Sequence, residues 1–281
     1  VGGMWVYGND NGRSSAYKTL HINTARDLTA FKDFPFDDSV QPFPDHRDMA
    51  AYLRAYADHF DITPRIRFKT RVRDVRPAPG YTAERPRWLI ETEAGAVDTF
   101  DTLIVASGHL TRPHEIATLR DGFEGQYLHS HDYREPGPYA GKRVCIVGVG
   151  NSSCDIASDL ATVAERTVMV ARSTPLIIPK LIFGRPFWSI VKPFYKPWVP
   201  NAVRMRAVRF LTWVVHGSMA ELGFAPSDKK VHATSNANIV NHIKYRRVHI
   251  KQGIRSIAGR TVTFADGSAE EFDTLIAATG F

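Results

Sequence analysis

The stretch Lys142–Ala157, KRVCIVGVGNSSCDIA, restricts what this chain can fold into more than any other. Val144, Cys145, Ile146 and Val147 form a short apolar run, the pattern of a strand buried on both faces. Gly148, Val149 and Gly150 follow directly. From Asn151 onward Ile156, Ala157, Leu160 and Val163 recur at helical spacing. The order is strand, glycine turn, helix. Gly148 permits the tight turn, Gly150 leaves bare backbone, and the first-turn N–H groups of Asn151, Ser152 and Ser153 face outward with the helix dipole behind them. Such a terminus suits a pyrophosphate. The third position of the G-x-G-x-x-G pattern is Ser153, a residue small enough for close helix–strand packing.

The next strand is expected over Thr167–Ala171 and ends at Arg172, 24 residues after Gly148. An acid at about this place would bind a ribose 2′-hydroxyl. Arg172 followed by Ser173 suits a 2′-phosphate instead, because a guanidinium is a forked, charged donor. The nucleotide expected is therefore NADP rather than NAD; the bland alternative is a glycine turn with no ligand and a solvated arginine.

Composition limits the remaining classes. The 281 residues are 43% hydrophobic and 23% charged, enough for one large or two medium globular domains. The net charge of +7 is scattered, with Lys229–Lys230 and Arg246–Arg247 as short clusters, and no nucleic-acid recognition motif accompanies it. Cys145 and Cys154 form no C-x-x-C pair and read as buried small residues of a reducing, cytoplasmic compartment. No signal peptide and no run of 18 apolar residues is present. The chain starts at Val1 and stops at Ala278-Thr279-Gly280-Phe281, just as a strand would end, so both ends read as cut.

In chain order, Val1–Tyr7 suggests backbone packed tightly against something flat, and His46–Phe60 reads as a helix. Strands are expected over Ile66–Val75, Trp88–Glu93 and Asp101–Gly108, followed by mostly loop from Thr111 to Pro136. Ile177–Phe224 is rich in aromatics and proline and helical from about Val203 to Met219, with Arg204, Arg206 and Arg209 along it. It is read as packing over the nucleotide domain near a substrate channel, with membrane-surface or partner contact as the alternative. A helix is expected over Asn236–Tyr245, and strands over Val248–Ile257, Thr261–Phe264 and Thr274–Ala278. The stretch Phe100–Gly108, FDTLIVASG, recurs 172 residues later as Phe272–Gly280, FDTLIAATG. Two such strand endings with a single glycine fingerprint suggest two related wound sheets and a second fingerprint ahead of Val1.

These features together resemble the flavin-containing monooxygenases, among the class B flavoprotein monooxygenases. Phe123–Arg134, FEGQYLHSHDYR, matches the family pattern F-x-G-x-x-x-H-x-x-x-[YF]. Tyr133 stands where the related Baeyer–Villiger group carries tryptophan. Gly148–Ala157 resembles the family's NADP motif, Ala278–Phe281 its ATG-[YF] motif, and Gly2-Gly3-Met4-Trp5 its GGxW. The resemblance runs from Val1 to Phe281 and is weakest over 177–224.

The resemblance implies an α/β fold of two dinucleotide-binding, Rossmann-like domains, the NADP domain inserted in an incomplete FAD domain. The boundaries expected are 1–140 for the partial FAD domain, 141–258 for the NADP domain and 259–281 for the return. It implies FAD and NADP as cofactors, with O2 and a small nucleophilic amine or sulfide as partners. NADPH would reduce the flavin, whose C4a-hydroperoxide would pass one oxygen to the nucleophile. It places Asn23 near the reacting centre, against the alternative of an Asx turn. Gly2, Gly3, Trp5, Thr24, Ser107, Thr279 and Gly280 are implied at the cofactors, beside Gly148, Gly150, Asn151, Ser152, Ser153, Arg172 and Ser173. His129 is expected to fix a linker or the nucleotide domain, and Asp155 to cap or pack the first helical turn. Lacking the fingerprint before GGxW, the chain as given is expected to be an inactive fragment. The alternatives are a Baeyer–Villiger or N-hydroxylating relative and a non-catalytic NADP-binding remnant. A disulfide reductase would need a cysteine pair. Substrate and oligomeric state are not legible.

Overall fold

The structure is a computed structural model and describes residues 1–225 and 233–281; the Lys229–Lys230 pair lies outside them. Its helices are α1 (Arg26–Thr29), α2 (His46–His59), α3 (Ala117–Asp121), α4 (Asn151–Leu160), α5 (Phe187–Val191), α6 (Asn201–His216) and α7 (Ile239–Lys244). Its strands are β1 (Val72–Pro77), β2 (Trp88–Thr92), β3 (Val97–Phe100), β4 (Gln126–His129), β5 (Arg143–Val147), β6 (Arg166–Ala171), β7 (Leu176–Ile178), β8 (Leu181–Ile182), β9 (Arg185–Pro186), β10 (Ala233–Ser235), β11 (Val248–Gln252), β12 (Ile254–Ala258), β13 (Thr261–Phe264), β14 (Ala269–Glu271) and β15 (Thr274–Ala277). Contacts divide the chain into a smaller unit, Arg54–His109 with Val1, and a larger one, Gly2–Leu53 with Leu110–Phe281.

The larger unit is built on a parallel five-stranded sheet in the order β11-β6-β5-β15-β4. The apolar runs explain the placement: every residue of β15 and all but the first of β5 and β6 are buried. One face of the sheet presents Val144, Ile146 and Met169 to Ile156, Ala157 and Leu160 of α4. The other presents Cys145, Val168 and Leu275 to Val262 and Phe264 of the antiparallel β12-β13-β14 sheet and to Phe272, which follows β14. Each fully buried Leu or Ile stabilises by roughly 1.5–3 kcal/mol. Cys145 and Cys154 are both buried free thiols, and burial raises the pKa of each.

The strand–turn–helix reading holds, with α4 starting at Asn151. Four expectations are corrected. Thr111–Pro136 is not mostly loop: it contains α3 and the edge strand β4, whose half-polar QYLH gives no apolar run to read. The segment from Ile66 becomes strand only at Val72. Val248–Ile257 is broken in two at Gly253, whose φ of 46° no continuous strand accommodates. Asp101–Gly108 forms no strand: no described strand hydrogen-bonds to it, and Ile104 and Val105 are 83% and 78% exposed. A strand without a ladder leaves its backbone groups unpaired, and an apolar run alone does not offset that.

The smaller unit contains the antiparallel meander β1-β2-β3, and the chain passes between the units at 53–54, within α2, and at 109–110. Its β1 is exposed throughout, and its outer charges pair locally, as Arg71 with Glu93 at 3.2 Å and Arg73 with Glu91 at 3.3 Å.

Candidate functional site

The chain leaves β5 at Gly148 with φ of 132°, its N–H donating to Val170 O at 3.0 Å. A Cβ there would lie 2.3 Å from the carbonyl oxygen of Ala278, at the end of β15. Only glycine fits, because β15 enters the sheet directly beside β5 and the two strand ends close on one another. The Ser153 hydroxyl, fully buried, donates to Gly148 O at 2.6 Å. The serine at the third fingerprint position thus packs closely and also ties the turn. Gly150 stands before α4 with open space around its would-be Cβ. No side chain caps α4 and no acid occupies its first turn, so its leading N–H groups are free for an outside acceptor. Asn151 turns aside, its Oδ1 accepting from Ser235 N at 2.9 Å, while Ser152 sits half-buried beside it.

These strand ends form the floor of a cavity of about 580 Å³. In an open parallel sheet, ligands bind outside the carboxyl ends where the strand order reverses, and β5 between β6 and β15 is such a point. Gly148, Gly150, Arg172, Ser173, Thr279 and Gly280, six of the residues singled out from sequence, line this cavity together. Val149, Ile116, Leu119, Val170, Ile254 and Ile257 supply apolar wall. The lining also includes Arg255, which the sequence reading missed by taking 248–257 as one strand. The central Gly253 was the available signal for the turn that brings it there. Arg172 and Arg255 are both exposed and enter no ion pair among the described residues, and the lining contains no carboxylate. The electrostatics favour an anion.

The other singled-out residues lie outside that lining. Gly2 is buried at φ of 109°, and a Cβ there would meet Val6 Cγ2 at 2.7 Å and the Ala50 methyl at 3.6 Å. The surface it packs on is therefore α2. Gly3 has open space, and half-buried Trp5 donates its N–H to Gly2 O at 3.0 Å. The Thr24 hydroxyl is taken by Thr29 at 2.6 Å. Ser107 is exposed on the irregular stretch of the smaller unit. Asn23 differs from these: its Oδ1 is buried and has no hydrogen-bond partner.

A polar network holds the Asn23 loop to α4. Tyr17 OH donates to Asp155, Asn236 Nδ2 donates to Asp155 Oδ1 at 2.6 Å, and Lys180 Nζ donates to Ile22 O at 3.1 Å. One turn along, Thr19 and Tyr133 donate to Asp159 Oδ2 at 2.6 and 3.0 Å. Burial raises both carboxyls above the usual range and lowers the Lys180 ammonium. Asp155 therefore anchors the loop and caps nothing, and Tyr133 is a buried packing and bonding residue. His129 ends β4 in the sheet; its Nδ1 accepts from His131 N at 3.1 Å, its ring stands edge-on to Phe281 at 5.4 Å, and burial keeps it neutral more readily than usual. Among the described residues no group of His, Cys, Asp or Glu is arranged to hold a metal ion.

Comparison with known proteins bears on this geometry. N-oxide-forming dimethylaniline monooxygenase 2 of Mus musculus is 27% identical over 299 residues, and flavin-containing monooxygenase 5 of Homo sapiens is 30% identical. Each alignment covers all of this chain and 55% of the relative, so the chain spans about half the length of the curated relatives it matches. Among solved structures, a flavin-containing monooxygenase from Stenotrophomonas maltophilia superposes with a TM-score of 0.68 at 21% identity, covering 96% of this chain and 67% of that one. An oxidized steroid monooxygenase bound to NADP gives 0.71 at 20% identity, covering 100% and 64%. These two show a shared fold. The model of the flavin-binding monooxygenase-like family matches residues 1–281, and the chain belongs to that family.

Proposed function

We propose that this chain is the NADP-binding portion, with part of the flavin-binding portion, of an NADPH- and FAD-dependent monooxygenase that oxygenates a soft nitrogen or sulfur nucleophile. The observation that carries the reading is the cavity at the β5/β15 switch point. It joins a glycine-only turn and an uncapped helix start to two arginines with no acid nearby. NADP(H) fits this set. The backbone of Gly148–Gly150 and the start of α4 would take the pyrophosphate, and Arg172 with Ser173 would take the 2′-phosphate. For the flavin, the fitting feature among the described residues is the unpartnered Asn23 Oδ1, which would accept an N–H from flavin or nicotinamide. Bound FAD supplies oxygen activation and bound NADPH the hydride. The chain's own residues bind, orient and keep out water: the Asp155–Tyr17 and Asp159–Thr19 bonds set the height of the Asn23 loop over α4. The domain division at 140/141 and 258/259 and a cytoplasmic site of action belong to the same proposal.

The choice of nitrogen or sulfur over a ketone is supported by the N-oxide-forming relative and by Tyr133 at the motif's last position. The test is nucleotide titration of the purified chain, followed by its visible spectrum after supplying FAD. The expected result is NADPH bound at least tenfold more tightly than NADH, about 1.4 kcal/mol. Equal affinities would overturn the role of Arg172. Flavin bands with sulfide-dependent NADPH oxidation support the oxygenation reading; oxidation dependent on a ketone instead would replace it with the Baeyer–Villiger one.

A further inference from the structure

Residues 172–180 run from the nucleotide cavity to the Asn23 loop. Arg172 and Ser173 line the cavity, and residues 175–179 are buried without a break. Within them β7 lies parallel to β10, which is braced on the glycine turn and the start of α4. The Thr234 hydroxyl donates to Val149 O at 3.1 Å, and Ser235 N to Asn151 Oδ1 at 2.9 Å. Lys180 comes next, and its carbonyl accepts from the N–H of buried Phe187 at 2.9 Å. Its backbone is thus fixed on both sides, which gives the ammonium a defined place. There Nζ donates to Ile22 O at 3.1 Å and stands over the Phe43 ring at 5.2 Å.

Lys180 is half-buried and, among the described residues, enters no ion pair; Asp155 attracts it from farther off and only partly offsets its desolvation. Holding a cation out of water is costly, and an uncharged side chain of the same length avoids that cost. The bond it makes falls on one peptide. Ile22 N already donates to Pro44 O at 3.0 Å, so with its carbonyl held as well the planar unit that joins Ile22 to Asn23 is fixed. Tyr17 and Thr19 tie the earlier part of the loop to α4, and Lys180 makes the last tie before Asn23. Asn23 Oδ1 is buried without a partner. An acceptor left unmet costs stability, so a backbone fixed around it holds it ready for a donor from outside. On the reading of the cavity as an NADP site, we propose that Lys180 is a positioning residue that aims the Asn23 amide at the nicotinamide half of the nucleotide. The nicotinamide is favoured over the flavin because the stretch ending in Lys180 begins at Arg172 and is braced on the start of α4. All three then follow one nucleotide.

The test is calorimetric titration of the full chain with NADP+ and with adenosine 2′,5′-bisphosphate, which lacks the nicotinamide half. The parent should bind NADP+ about fivefold more tightly than the bisphosphate, the gain of one added hydrogen bond. N23A and K180M should each remove most of that gain and leave the bisphosphate affinity unchanged. The double variant N23A/K180M should lose no more than either alone, because the lysine acts through the asparagine. A lysine that served stability alone would leave the ratio of the two affinities as it is. Without any nucleotide, K180M should also quicken hydrogen exchange at the amides of residues 22–24. K180M that keeps the gain, or that leaves exchange in the loop unchanged, would overturn the proposal. Additive losses in the double variant would do the same by putting Lys180 itself on the ligand, and so would a gain that N23A leaves intact. Bisphosphate bound no more tightly than adenosine 5′-diphosphate is the separate outcome that removes the cavity reading, and this inference with it.

Discussion

Phe100–Gly108 and Phe272–Gly280 share seven residues of nine and have different structures. In the second copy Thr274–Ala277 is a central strand, hydrogen-bonded to β5 on one side and β4 on the other, with Leu275 and Ile276 fully buried. In the first copy the equivalent Ile104 is 83% exposed and the backbone is irregular. The phenylalanine that opens each copy follows suit: Phe272 is fully buried and Phe100 is 40% exposed. Local propensity is nearly the same for the two stretches. What differs is whether neighbouring strands present a ladder and an apolar surface, so strand formation here is a tertiary decision.

The sharpest way to break this comparison is a pair of truncations. Ile276→Ala should cost about 3–4 kcal/mol, as a large-to-small change in a packed sheet, and Ile104→Ala should stay within about 0.5 kcal/mol. Denaturant unfolding of both variants measures the difference, and equal losses would mean that the two copies are equally buried. Glycine substitution sharpens the contrast between the turn facing the second copy and the end of the first. Gly148→Ala should cost roughly 2–3 kcal/mol, combining a strained positive φ with the clash on Ala278 O. Gly108→Ala, at φ of 77° with open space, should cost only about 1 kcal/mol. At the cavity, Arg172→Ala should lose about tenfold in NADPH affinity and leave NADH nearly unchanged, with a smaller loss for Arg255→Ala; calorimetric titration separates the two nucleotides. The smallest effect is at the closing hydroxyls. Thr279→Ala removes a bond to His114 O and should cost about 1 kcal/mol, whereas Ser107→Ala should be silent in thermal unfolding.

Motifs with a local physical cause were legible in the chain itself. The apolar run, the glycines and the helical spacing around Gly148 predict strand, turn and helix because each depends on neighbours in sequence. Arg172 and Ser173 were legible because they follow the next strand directly. Arg255 was not, since its place depends on a turn at Gly253 and on a hairpin folding back over the sheet. Strand β4 was missed because an edge strand of mixed polarity is defined by its partner β15 rather than by its own pattern.

The sequence alone therefore determined the strand–turn–helix around Gly148 and the place of Arg172 and Ser173 after the next strand, because steric and periodic rules act over a few residues. Tertiary structure decided which of two near-identical stretches became a strand, why Gly148 tolerates no side chain, and that six scattered residues line one cavity. It also turned Asp155 and Asp159 from helix residues into anchors for the Asn23 loop. Each of these rests on a contact between segments far apart in the chain, and burial against such a partner supplies the free energy that local preference lacks.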